Sequence, residues 1–131
     1  MSKIFRADHQ PPQVVAREGW RYHHIGIPTD QSRPGERLIA HLGMWVSGFE
    51  TSPYGIEWMR FELESPIPKI IQTTVHIAFE VDDINSAIRG RQLIGEISSP
   101  SPGVRVAMIS DGDVLIEVME FDRHRIPAAQ K

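Results

Sequence analysis

The chain has 131 residues, a formal net charge of −3 and no cysteine. This charge gives no general attraction to nucleic acid or to an anionic membrane, and disulfide and thiol chemistry are excluded. No apolar run approaches the roughly 20 residues of a membrane span. The start, residues 1–12, lacks the apolar stretch of a signal peptide. We therefore expect a cytoplasmic protein that binds neither nucleic acid nor membranes.

The first half predicts a strand, a helix and further strands. Residues 1–20 are expected to be an irregular extension, because Pro11 and Pro12 disfavour both helix and central strand. The elements predicted after it are a strand over 21–27, a helix over 34–42 ended by Gly43, short extended segments around 44–50 and a strand over 57–64. The helix rests on an apolar stripe of Leu38, Ile39 and Leu42.

The second half repeats that plan. Asp82 or Asp83 is a natural cap for a helix over about 83–91. The hairpin signal Asp111-Gly112 separates two further strands. The strands predicted here are 74–81, a short one near 95–98, 104–110 and 114–121, followed by a loose tail over 123–131.

The order β-α-β-β-β thus occurs twice. It predicts an α+β protein with one domain over 21–122, built from module 1 (about 21–66) and module 2 (about 73–122). Two such modules can set their sheets side by side and bury a shared cleft.

A histidine and a glutamate recur on apolar strands in both halves. His24 precedes His76 by 52 residues, and Glu62 precedes Glu117 by 55. Alternation of side chains along strands places His24, His76 and Glu62 opposite the face that should pack on a helix. Two imidazoles and two carboxylates contributed by a repeat indicate one metal site. Glu64 and Glu57 share the strand of Glu62, so the identity of this carboxylate stays open.

Glu117 carries the strongest signal, because a carboxylate within Val114–Met119 needs a partner when it is buried. A metal ion would compensate, and so would an arginine or a hydrogen-bond network. Tyr22 and Trp58 are candidates for lining a substrate pocket, or for simple packing. Arg60 could hold an anionic substrate group or pair with a neighbouring glutamate. His23 is expected beside the site rather than in it, although an exchange with His24 is possible.

The segments His23–Ile27, Val75–Ile84 and Val114–Val118 resemble the glyoxalase/bleomycin-resistance/extradiol-dioxygenase group, also called the vicinal oxygen chelate superfamily. The resemblance covers about residues 21–121 and implies paired βαβββ modules around a metal-holding cleft. It places the ligands at His24, Glu62, His76 and Glu117, a set closest to that of glyoxalase I. Pro28 and Pro66 replace an arginine and an asparagine of bacterial glyoxalase I, which argues against glutathione as substrate.

The resemblance implies a metal-dependent isomerase or lyase acting on a small α-oxygenated carbonyl compound, with Glu117 as the base. The donor set suits Zn²⁺, Ni²⁺, Co²⁺, Mn²⁺ or Fe²⁺. One alternative is a non-catalytic protein that binds an antibiotic or toxin, with Tyr22, Trp45, Trp58 and Phe121 in its cleft. Another is an Fe²⁺ dioxygenase with only three ligands and Glu62 as a bystander. A homodimer is expected.

Overall fold

The structure, a computed structural model, describes residues 9–127, so the first eight residues of the expected extension and the last four of the expected tail lie outside the described residues. Two 3₁₀ turns, Ala40–Leu42 and Phe49–Thr51, lie in the first half. The remaining elements are α1 Gln13–Ala16, β1 Arg21–Pro28, β2 Arg37–Ile39, β3 Met44–Ser47, β4 Ile56–Phe61, α2 Lys69–Thr73, β5 His76–Glu80, α3 Ile84–Ile88, β6 Gln92–Ser101, β7 Val104–Asp111 and β8 Val114–Phe121.

The eight strands form one sheet in the order β2-β3-β4-β1-β5-β8-β7-β6. Within each half the first strand pairs in parallel with the last, β1 with β4 and β5 with β8. The halves join where β1 and β5 run antiparallel. This curled sheet with few helices confirms the predicted α+β fold class. It also shows the two modules sharing a sheet within one chain.

Module 2 has the predicted arrangement, in which a helix packs on one face of the sheet. Asp83 caps α3, its side chain accepting a hydrogen bond from the Asn85 backbone N–H at 3.0 Å. Ile84 and Ala87 of α3 then pack on one face of the sheet, which we call the outer face. There they join a core whose other buried members are Trp20, Val81, Ala107, Ile109 and Val118. The hairpin turn at Asp111-Gly112 is also confirmed, with Gly112 at φ +61°.

The predicted helix over 34–42 is wrong. Gly35 has a φ of +79°, which breaks a helix in its first turn. Residues 37–39 instead form an edge strand, with Leu38 paired to Trp45 of β3. Gly43, in the left-handed region at φ +58°, ends the following 3₁₀ turn rather than a helix. Module 1 therefore has no helix over its outer face.

Several boundaries also differ. A short helix, α1, follows Pro12 within the expected irregular extension, and α2 lies between the modules where no element was predicted. β4 ends at Phe61, three residues earlier than expected. β6 is longer than predicted and includes Pro100, which an edge strand tolerates. None of the helices within residues 9–127 has the length and hydropathy needed to cross a bilayer.

Candidate metal centre

Three side chains converge on the face opposite the α3 core, which we call the cleft face. The Nε2 atoms of His24 and His76 each lie 3.2 Å from the same Glu117 oxygen, Oε1. The two Nε2 atoms are 3.4 Å apart. Both histidines are 3% exposed. Within residues 9–127 this trio is the group whose donor atoms lie close enough together to hold a metal ion.

Small residues in the strand register allow this convergence. His24 of β1 and Glu117 of β8 both pair with Ala78 of β5, so their side chains meet above a single methyl group. His76 pairs with Gly26 of β1. A Cβ atom at residue 26 would lie only 2.1 Å from the His76 ring, so only glycine leaves room for this imidazole.

A fourth group, Glu57, lies at the edge of the trio. Its Oε1 is 3.5 Å from His24 Nε2, and its side chain is 24% exposed. The register shows that Glu57 is the counterpart of Glu117. Glu57 pairs with Gly26, two residues after His24, as Glu117 pairs with Ala78, two residues after His76.

Glu62, the predicted fourth ligand, lies outside this cluster. β4 ends at Phe61, and Glu62 is exposed in the turn that follows, next to Leu63, which is 91% exposed. The prediction matched Glu62 to Glu117 because their separation of 55 residues is close to the 52 residues between the histidines. Glu57 and Glu117 are 60 residues apart, whereas the histidines are 52 apart, because module 2 has longer strands before its last one.

The residues proposed from sequence to bind substrate are not at the cleft. Along β4, Glu57 and Met59 line the cleft face, so Trp58 and Arg60 project from the outer face. There the Arg33 guanidinium lies 4.0 Å from the Trp58 ring centroid, and Arg60 pairs with Glu36 at 2.8 Å. The predicted alternation was inverted because it assumed that a helix covers the apolar face of β4.

A β-bulge between Tyr22 and His24 shifts the pairing register of β1 with β5 and so changes the orientation of Tyr22 and His23. Tyr22 is 49% exposed and donates a hydrogen bond to the Tyr54 carbonyl at 2.6 Å, outside the cleft. His23 turns toward its neighbour, so that the Nδ1 atoms of His23 and His24 are 2.8 Å apart. Its ring also stacks on Phe49 at 4.9 Å. His23 therefore lies beside the trio, as expected.

The electrostatics couple the four groups. Burial works against ionisation of Glu117, but hydrogen bonds from His24 and His76 and their charges lower its pKa to about 2. Burial also works against a charged His24, yet the Glu117 hydrogen bond and the charges of Glu117 and Glu57 raise its pKa. Burial raises the pKa of Glu57, and the charge of His24 only partly offsets this. Burial and the charge of His24 lower the pKa of His23.

The donor atoms fit a divalent transition metal. With ligands about 2.1 Å from an ion, neighbouring donors are about 3.0 Å apart in an octahedral site and about 3.4 Å apart in a tetrahedral one. The three separations within the trio, 3.2, 3.2 and 3.4 Å, fall in this range. If His24 binds through Nε2, its Nδ1–H can donate to His23, which fixes the required tautomer.

A cavity of about 280 Å³ adjoins the cluster, with Glu57, His76 and Glu117 in its wall. The four aromatic residues expected in a binding protein's cleft, Tyr22, Trp45, Trp58 and Phe121, do not line it. Met44 and Met59 are part of its apolar wall. Loop residues Pro66–Pro68, between the two modules, also line it. Of these, the sequence had singled out only Pro66, at the position of an asparagine in bacterial glyoxalase I.

Comparison with solved structures identifies the fold. A hypothetical protein from Bacillus halodurans superposes with a TM-score of 0.62 at 24% identity, covering 82% of this chain and 99% of that one. Methylmalonyl-CoA epimerase from Mycobacterium tuberculosis superposes with a TM-score of 0.55 at 19% identity, covering 84% and 91%. No protein-family model and no curated protein sequence matches. The chain thus has the fold of the glyoxalase, or vicinal oxygen chelate, superfamily.

Proposed function

We propose that the protein is a metal-dependent isomerase or lyase that moves a proton between neighbouring carbons of a small α-oxygenated carbonyl compound. The observation that carries this proposal is the meeting of two imidazoles and two carboxylates, from four strands, beside one cavity whose wall includes Glu57, His76 and Glu117. His24, His76 and Glu117 hold the ion, and its identity among Zn²⁺, Ni²⁺, Co²⁺, Mn²⁺ and Fe²⁺ is open. A bound divalent ion would act as a Lewis acid for negative charge developing on the substrate oxygens.

The geometry favours a different division of labour between the carboxylates from the one that the family resemblance implies. Glu117 contacts both imidazoles through one oxygen atom, so it is fixed in place. Glu57 has one contact with the trio, at 3.5 Å, and it lines the cavity. We therefore assign Glu57 as the group that takes a proton from the substrate carbon and returns it to the neighbouring carbon. Positioned carboxylates contribute about 10²- to 10⁴-fold to such transfers.

Three glutamine variants test this assignment. The assay is exchange of the carbon-bound α-protons of 1-hydroxy-2-butanone in D₂O, followed by ¹H NMR with metal-loaded protein. Glu57→Gln should keep stoichiometric metal and lose at least about 100-fold in exchange rate. Glu117→Gln should lose the metal. Glu62→Gln, in the exposed turn after β4, is the matched control and should change neither. Loss of exchange in Glu62→Gln with unaltered exchange in Glu57→Gln would contradict the proposal.

A second candidate is an Fe²⁺ oxygenase, and one observation favours it. The trio alone is a two-histidine, one-carboxylate set, the pattern of non-haem iron oxygenases, and Glu62 lies outside it. Oxygen consumption with catechol by the Fe²⁺-loaded protein separates the two candidates. Uptake that is lost in Glu117→Gln and kept in Glu57→Gln supports the oxygenase. No uptake, together with Glu57-dependent proton exchange, supports the isomerase.

A further inference from the structure

The wall of the cavity beside the trio is aliphatic. The cavity volume of about 280 Å³ is close to the lower end of the roughly 300–1,000 Å³ found for small-molecule sites. Apart from the metal-binding edge, the side chains facing it come from both modules and from α2. Its apolar members include Leu42, Met44, Met59, Ile71, Ile94 and Met108. Such a wall stabilises a compact hydrocarbon group.

The charged side chains that line the cavity are all acidic. They are Glu57 and Glu117 at the metal-binding edge and the exposed Glu96. Within the described residues, no arginine or lysine contributes to the lining. A carboxylate or phosphate of a ligand would therefore lose its hydration inside the cavity without gaining a cationic partner.

The nearby basic side chains do not supply that partner. Arg37, whose charge acts on Glu57, is paired with Glu50 and does not line the cavity. Arg60 lies on the outer face in an ion pair with Glu36. Arg105 pairs with Glu120 and borders a different pocket. Lys69 is exposed at the start of α2 and does not line the cavity, although its neighbour Pro68 does. A divalent ion would balance the charges of Glu57 and Glu117 at the metal-binding edge and would supply no positive charge to the rest of the cavity.

We propose that the substrate is a compact molecule whose oxygens bind at the trio and whose remaining part is an uncharged aliphatic group held in this cavity. This inference rests on the proposed function and specifies its substrate class. It excludes substrates that place a carboxylate or phosphate in the cavity, such as the acidic part of a peptide thiol conjugate.

Three hydroxamic acids test the proposal, because each presents the same pair of chelating oxygens. Acetohydroxamic acid has almost no tail. 4-Methylpentanohydroxamic acid has an aliphatic tail, and succinic monohydroxamic acid has the same shape with a carboxylate in place of the isopropyl group. Isothermal titration calorimetry with Zn²⁺-loaded protein measures their affinities. We expect the aliphatic compound to bind on the order of 100-fold tighter than acetohydroxamic acid, and the succinic compound to bind no tighter.

A charge placed in the wall should change this order. Ile71 lines the cavity, whereas its neighbour Ile70 on α2 does not line it and is 50% exposed. Ile71→Lys should weaken the aliphatic compound and improve the succinic one by at least about fivefold. Ile70→Lys adds the same charge to the same helix and should leave the affinity ratio unchanged.

The outcomes distinguish a failure of the aliphatic-substrate inference from a failure of the proposed function. Metal-dependent binding of all three compounds with equal affinity would overturn the aliphatic-substrate inference and leave the metal site standing. Tighter binding of the succinic compound than of acetohydroxamic acid by the unmodified protein would overturn the inference as well. If no hydroxamic acid binds in a metal-dependent manner, the proposed function fails and the inference fails with it.

Discussion

Modules 1 and 2 present the same pattern, a histidine on the first strand and a glutamate on the last, on strands that are covered in different ways. In module 2, α3 buries Ile84 completely against the outer face of the sheet. In module 1, the corresponding face carries Trp58 and Arg60, covered by Arg33 and Glu36 of the loop that replaces a helix. The repeat is therefore kept in the strands that carry the site residues. The layer that covers the outer face differs between the modules, and this difference does not displace those residues.

The largest expected effect comes from the covered module. Ile84 is 0% exposed within the α3 core, and Ile84→Ala should lower the free energy of unfolding by about 3 kcal/mol, within the 2–5 kcal/mol typical of such truncations. Arg33→Ala, which removes the cover over Trp58 in module 1, should cost less than about 1 kcal/mol. Urea unfolding followed by circular dichroism measures both. Equal losses would show that the two covering layers contribute alike.

A second prediction concerns the junction of the modules. Gly26→Ala places a methyl group where the His76 ring lies, so it should cost about 1–3 kcal/mol through overpacking and should weaken metal binding. In a His76→Ala background the ring is absent, and most of the stability cost of the added methyl group should disappear. A double-mutant cycle in urea gives the coupling. Additive costs would mean that the two side chains do not compete for space.

The smallest expected effect is the ion pair that covers module 1. The hydrogen bond and charge of Arg60 lower the pKa of Glu36. The pair's stabilisation is therefore fully present above the unfolded carboxyl pKa near 4.5 and is lost as the pH falls through the lower folded value. Glu36→Gln should reduce the melting temperature slightly at pH 7, and the two melting temperatures should converge toward pH 3. Glu64→Gln, an exposed control, should show no such pH-dependent difference.

The sequence predicted every strand except β2, a helix cap at Asp82 or Asp83, and three of the four acidic or imidazole groups now found together, because these signals are local. It did not predict that residues 37–39 form a strand and residues 40–42 a 3₁₀ turn instead of a helix. There an apolar stripe competed with the positive φ of Gly35 and with pairing to β3. That local error then propagated, because the absence of a helix reverses which face of β4 meets the cleft. Spacing along the chain also depends on the lengths of the intervening strands, whereas pairing register does not. The spacing therefore pointed to Glu62, whereas the register places Glu57 at the site.

Both modules contribute ligands to one metal ion in this proposal, and titration of the protein with Co²⁺, followed by visible absorption and calorimetry, measures this. We expect one equivalent to be bound by the unmodified protein and by His124→Ala, an exposed control outside the cluster. Stoichiometric binding should be lost in both His24→Ala of module 1 and His76→Ala of module 2. Retention of one equivalent in either of these variants would contradict a site shared between the modules.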